Sequence, residues 1–162
     1  MPIEIKQSPF DNEFREQVAK HIRSAKKNIK IVTGEISAYN YYDLRNAAEK
    51  IAKKGIQIDV YATGPERNII NRLISHKINV YTGSEDSADH FMICDDKIAI
   101  VSQKDENRIK PTPMGKRRGL ILDDVNAVKQ YIRRFEKLKI NAKKEKIRGL
   151  DPLVKALQNP IQ

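Results

Sequence analysis

Apolar positions recur along the chain with two periods, one of two residues and one of three to four, and their order predicts the elements. Ile3 and Ile5 alternate with Glu4 and Lys6, as in a short half-buried strand. Phe10, Phe14, Val18, Ile22 and Ala25 then form a helical stripe, and Ser8, Pro9 and Asp11 supply its start. Ile29 to Thr33, closed by Gly34, is short and β-branched and reads as a buried strand. Leu44, Ala47, Ala48 and Ile51 make a second helix ended by Gly55, and Ile56, Ile58 and Val60 a strand. A third helix carries Ile69, Ile70, Leu73 and Ile74 and leads to a strand at Ile78 to Tyr81.

After Tyr81 the period changes. A polar stretch, Thr82 to Asp89, precedes Phe91 to Cys94 and Ile98 to Val101, a hairpin turning at Asp95-Asp96. Ser102 to Arg118 is poor in apolar residues and reads as a long loop, either functional or mobile. Gly119 to Leu122 restores a strand, Asp123 or Asp124 caps the next helix, and Val128, Ile132, Phe135 and Leu138 stripe it. The expectation is an α/β fold with a mixed, largely parallel sheet and helices on both faces. One domain is expected over residues 1–140, followed by a basic C-terminal tail, 141–162, in which Leu150, Leu153, Val154 and Leu157 suit one short helix.

Composition narrows the functional classes. The 162 residues are 40% hydrophobic and 32% charged, as in a globular domain, and no apolar run is long enough to span a membrane. The alternating N-terminus lacks the apolar core of a secretory signal, and a single cysteine, Cys94, excludes an intrachain disulfide. The expected setting is cytoplasmic, with no cofactor. The net charge of +10 is the informative number, since it favours a polyanionic partner. Locally the charge is uneven: Lys129 to Arg148 holds nine lysines and arginines against Glu136 and Glu145, whereas Glu85, Asp86, Asp89, Asp95 and Asp96 make the hairpin region acidic. Those carboxylates and His90 are metal-ligand types, but alternation along strands prevents their convergence, and no metal is expected.

The run Asp89-His90-Phe91-Met92-Ile93-Cys94-Asp95-Asp96-Lys97-Ile98-Ala99-Ile100-Val101 resembles the core of the H-x-K-x4-D motif of the phospholipase D superfamily. The flanking strand and helix pattern, from the helix at Phe10 to the strand at Gly119 and the helix through Phe135, resembles one half of that fold. The resemblance implies a histidine nucleophile on phosphorus, lysines offsetting phosphate charge, and two motif halves brought together, here by a homodimer. In the register set by Phe91-Met92-Ile93, Ala88 stands at the nucleophile, His90 at the lysine and Asp95 at the aspartate. With His90 as the motif histidine, Met92 and Lys97 replace the lysine and aspartate. The Gly-Ser-x-Asn that follows in the family reads Ser102-Gln103-Lys104-Asp105.

An alanine cannot act as a nucleophile. Acidic neighbours favour a protonated His90, a poor nucleophile. The leading expectation is a catalytically degenerate domain that binds nucleic acid or another polyanion through basic surfaces. Its candidate contacts are Lys104, Arg108, Lys110, Lys116, Arg117 and Arg118 after the hairpin, and Arg133, Arg134 and Lys137 on the last helix. Tyr39, Tyr41 and Tyr42 offer stacking surfaces. The alternative is an active phosphodiesterase or nuclease with His90 and Asp95 as its catalytic residues in a non-standard role. A scaffold for protein or anionic headgroups is a third class.

Overall fold

A computed structural model describes residues 3–5, 13–34, 42–87, 89–104 and 117–149. Its elements are β1 (Ile3–Ile5), α1 (Glu13–Ser24), β2 (Asn28–Thr33), α2 (Tyr42–Lys53), β3 (Gln57–Ala62), α3 (Arg67–Ser75), β4 (Asn79–Thr82), β5 (His90–Cys94), β6 (Ile98–Lys104), β7 (Arg117–Leu122), α4 (Val125–Ile140) and β8 (Lys143–Lys144). The strands form one sheet in the order β1-β7-β6-β5-β2-β3-β4-β8.

Alternation divides the strand residues between two cores. Ile29, Ile58, Val60, Met92, Cys94 and Ile100 meet α1, α2 and α3 on one face. Val32, Tyr61, Phe91, Ile93, Ala99 and Val101 meet α4 on the other. Burial on both faces explains why these strands read as nearly continuous apolar runs. The mixed α/β sheet with helices on both faces is the expected one, but its parallel part is smaller than the sequence suggested. Only β2–β3 and β3–β4 run parallel, and the other neighbouring pairs are antiparallel. Parallel neighbours need a crossover, which only α2 and α3 supply, whereas β5, β6 and β7 follow one another as a meander.

The predicted loop Ser102 to Arg118 is shorter than its composition implies. Backbone pairing carries β6 to Lys104 and begins β7 at Arg117, with Ser102 opposite Gly119 and Lys104 opposite Arg117. A ladder needs no apolar side chains, so polarity hid these strand ends. Asp124 caps α4, accepting from the Ala127 N–H at 3.0 Å. The buried stripe of α4 is Val128, Tyr131, Phe135 and Leu138, with Ile132 half-buried.

The boundary expected between 140 and 141 is not a break in packing. Lys143 and Lys144 pair with Thr82 and Tyr81, and the Glu145 N–H donates to Val80 O at 2.8 Å. The buried Glu145 carboxylate meets Arg67 at 3.1 Å and Arg148 at 3.3 Å, and Asn71 donates to Arg148 O at 2.8 Å. Lysine density in 143–148 signals solvent exposure, and gives no hint of one buried glutamate. The predicted helix start at Ser8 to Asp11, the tyrosines Tyr39 and Tyr41, and the short helix through Leu157 lie outside the described residues.

Two turns are set by backbone conformation. The β5–β6 turn closes with the Lys97 N–H donating to Cys94 O at 3.0 Å, and Asp95 and Asp96 both have positive φ, 55° and 56°. This is the hairpin geometry for which Asp and Asn are tolerated. Gly55 (φ 85°) follows α2 in the left-handed region, while the matching place after α3 holds Lys77 (φ 66°). A non-glycine residue there costs about 1 kcal/mol.

Candidate functional site

Because β5 runs antiparallel to β2, its first residue lies at the C-terminal ends of β2 and β3, and its turn lies at their N-terminal ends. His90 and Asp95 are therefore at opposite ends of the sheet, about 16 Å apart at 3.3 Å per residue. The pair proposed from sequence as catalytic is not brought together.

Asp95 has a structural task instead. Its carboxylate accepts from the backbone N–H of Lys26 at 3.1 and 3.0 Å, of Lys27 at 2.7 Å and of Asn28 at 3.2 Å. Its own N–H donates to Asn28 O at 2.9 Å. The hairpin turn is thereby stapled to the connection between α1 and β2. Burial pushes the Asp95 carboxyl up, but the N–H donors and the Lys27 charge outweigh it and hold the group below the ordinary carboxylate range.

At the other end, His90 is half-buried on the face that meets α1 to α3, paired across the ladder with the buried Ser102. A Cβ at Gly34 would stand 3.6 Å from both His90 Cε1 and Nε2 and 3.7 Å from Thr63 Oγ1. The imidazole thus lies over the end of β2 beside the end of β3, where open α/β sheets commonly hold ligands. The connections at this end carry Glu66, Glu85, Asp86 and Asp89.

The acidic neighbours expected to crowd His90 are dispersed. Asp89 faces α4, where it accepts from Tyr131 Oη at 3.1 Å and meets Arg134 at 3.2 Å. Arg134 also covers the Tyr131 ring at 4.6 Å, and that ring meets Phe91 edge to face at 4.9 Å. Burial, then Asp89, pushes the Tyr131 phenol up to about 12. Asp96 is at the far end, paired with Lys30 at 2.6 Å. Among the described residues no three histidines, cysteines or carboxylates gather as a metal centre.

A second close approach shapes the His90 end. Tyr61 Oη donates to Glu85 O at 2.7 Å, and a Cβ at Gly83 would lie 2.6 Å from Tyr61 Oη. Only glycine lets the chain leaving β4 pass the phenol. Cys94 is buried at the opposite end of β5, and burial pushes its thiol up to about 12, so it is not a nucleophile at neutral pH.

The predicted phosphate contacts separate into three groups. Lys104, Arg117 and Arg118 occupy register positions on β6 and β7 that extend past His90. Arg133 and Lys137 are exposed on α4, whereas Arg134 is held by Asp89. Arg108, Lys110 and Lys116 lie outside the described residues, as does Ala88. Sequence reading passed over a further group, the lysines at the Asp95 end: Lys26, Lys27, Lys54, Lys77 and Lys97 in the connections and Lys53 in the last turn of α2, all exposed. Their signal is positional, a lysine just before each of β2, β3, β4 and β6, and it shows only once the strands are ordered.

No protein-family model matches the chain, and no curated protein matches it. Solved structures do. Nuc from Salmonella typhimurium, a phospholipase D family member, superposes with a TM-score of 0.71 at 14% identity, over 90% of this chain and 99% of that one. TrmBL2, an archaeal chromatin protein whose structure shows a novel mode of DNA binding, gives 0.68 at 15% identity over 90% of this chain and 55% of its own. NucT from Helicobacter pylori gives 0.67 at 15% identity, covering 90% of this chain and 98% of that one. The chain has the phospholipase D fold. No helix among the described residues is long and apolar enough to cross a membrane.

Proposed function

We propose, from the premise of a phospholipase D fold, that this chain is a catalytically degenerate member of that architecture that binds nucleic acid through its basic surface. The observation that carries the reading is the division of the motif. The one motif residue that matches its letter, Asp95, is used up by backbone N–H groups about 16 Å from His90. The place of the nucleophile is occupied by Ala88. What is left at the reactive end is one imidazole without a second nucleophile or lysine at the motif positions, which does not supply covalent phosphoryl transfer.

The net charge of +10 and the likeness to a DNA-binding chromatin protein support nucleic acid as the polyanion. A homodimer belongs to the same proposal, since the chain carries one motif half. The proposed setting is cytoplasmic.

The test is a gel of single- and double-stranded DNA and RNA with the purified protein at two salt concentrations, with and without EDTA, alongside His90→Ala. The expected result is a shift that weakens steeply with salt, leaves strands intact and survives His90→Ala. EDTA-resistant cleavage that disappears in His90→Ala would overturn the proposal in favour of a phosphodiesterase. Sedimentation at two concentrations checks the dimer.

A further inference from the structure

The connections at the Asp95 end of the sheet form a row. The β7–α4 connection at this end carries the exposed Asp123 and Asp124; next to it, in sheet order, stand the β5–β6 turn with Lys97, the α1–β2 connection with Lys26 and Lys27, Lys53 and Lys54 at the end of α2, and the α3–β4 connection with Lys77. These strands are adjacent, so the row spans three strand spacings, about 14 Å. That is the axial length of about four phosphates on one strand of B-DNA. All six side chains are exposed, and none enters an ion pair among the described residues. The two carboxylates nearest in sequence, Asp95 and Asp96, are engaged by backbone N–H groups and by Lys30.

We infer that this row is the nucleic-acid contact surface, and that the His90 end is not. The inference rests on the proposed nucleic-acid binding and gives it a place. An ordinary structural account of the lysines is that they complement helix dipoles, since α1, α2 and α3 all end here, each contributing about half a negative charge. That account covers Lys53, in the last turn of α2. It does not cover Lys97, which follows no helix, nor Lys77, which keeps a charged side chain at a left-handed position suited to glycine. Six cations also exceed the roughly one and a half negative charges of three helix ends.

The competing surfaces are weaker on inspection. Arg134 is bound to Asp89, and the connections at the His90 end bring in Glu66, Glu85 and Asp86, which repel phosphate. An anionic membrane is disfavoured as occupant because, among the described residues, no aromatic or long aliphatic side chain is exposed among the six lysines to anchor in lipid, and only Val125 is exposed nearby, at the start of α4.

The experiment is a fluorescence-anisotropy titration of a labelled DNA duplex across a salt series. It compares wild type, Lys26/27/53/54/77/97→Gln, the same six →Arg, and Lys104/Arg117/Arg118→Gln. The expected result is a loss of about 100-fold or more in the six-Gln variant with a shallower salt slope, retention in the Arg variant, and a change within about threefold for the His90-end variant. Acetylation footprinting of the wild-type complex keeps the test independent of variant folding, with the six lysines protected by duplex. A six-Gln variant that binds like wild type, or lysines that stay unprotected while duplex is bound, overturns the inference and leaves nucleic-acid binding standing. Wild type that binds single strands or RNA but no duplex overturns the inference as stated, and wild type that binds no DNA or RNA, or only vesicles of anionic phospholipid, overturns both.

Discussion

The two ends of the central hairpin have opposite histories of use. At one end Asp95 matches the motif letter and holds four main-chain contacts together; at the other His90 departs from it. The comparison teaches that a motif is a composite, part reaction chemistry and part folding. On the proposed reading, loss of the chemistry removes constraint on the reactive letters only. A carboxylate that receives three backbone N–H groups is still needed, because it satisfies donors at the start of β2. Charge follows the division in part: Glu66, Glu85 and Asp86 lie in connections near His90 and lysines precede β2, β3, β4 and β6 near Asp95, where the β7–α4 connection adds Asp123 and Asp124.

The largest effect that tests this division is on stability. Asp95→Ala removes a charged acceptor from three N–H groups and a residue suited to positive φ, and is expected to cost about 2–3 kcal/mol in urea unfolding. His90→Ala, at a half-buried strand start, is expected to cost less than about 1 kcal/mol. Equal losses would break the comparison. Asp95→Asn keeps the turn and one acceptor oxygen and is expected to cost about 1 kcal/mol. The sign with pH follows from the lowered folded pKa of Asp95. Its stabilisation is complete above the unfolded value of about 3.9 and is lost as pH falls through the folded value. The wild-type advantage over Asp95→Asn should therefore be level above about pH 5 and shrink in acid.

Much of the fold was legible because burial on both faces leaves apolar runs that period reading detects, as at Ile29 to Thr33 and Phe91 to Cys94. The Asp-Asp turn was legible from residue type. Sheet order was not, since nothing local says that β5 lies against β2, and with it went the separation of His90 from Asp95. The role of Glu145 was hidden because its partner Arg67 is 78 residues away. A motif letter does not state whether it serves a reaction or a turn.

A smaller effect sharpens the lysine end. Lys77→Gly relieves a left-handed backbone and is expected to stabilise by about 0.5 kcal/mol, the relief partly offset by a freer unfolded chain. The same variant should bind duplex about two- to threefold more weakly and lower the salt slope by about 0.9. The control is Gly55→Ala, where a Cβ meets nothing within 4 Å, so its cost of about 1 kcal/mol is torsional alone. A Lys77→Gly protein that is more stable and binds unchanged would remove Lys77 from the contact surface.

The smallest effect lies at the His90 end. Asp89→Asn takes a negative charge from Tyr131 and Arg134 while keeping a hydrogen-bonding oxygen. Burial is the larger cause of the raised phenol, so Tyr131 is expected to fall only partway from about 12 toward 10, read from phenolate absorbance. The change also frees the Arg134 charge on an exposed side of α4. If duplex is held at the opposite end of the sheet, that freed cation acts only at long range through salt-screened water, and affinity should rise by less than about twofold at physiological ionic strength. A gain of about tenfold would instead mean that Arg134 reaches phosphate directly, and the nucleic acid would have to be placed beside His90.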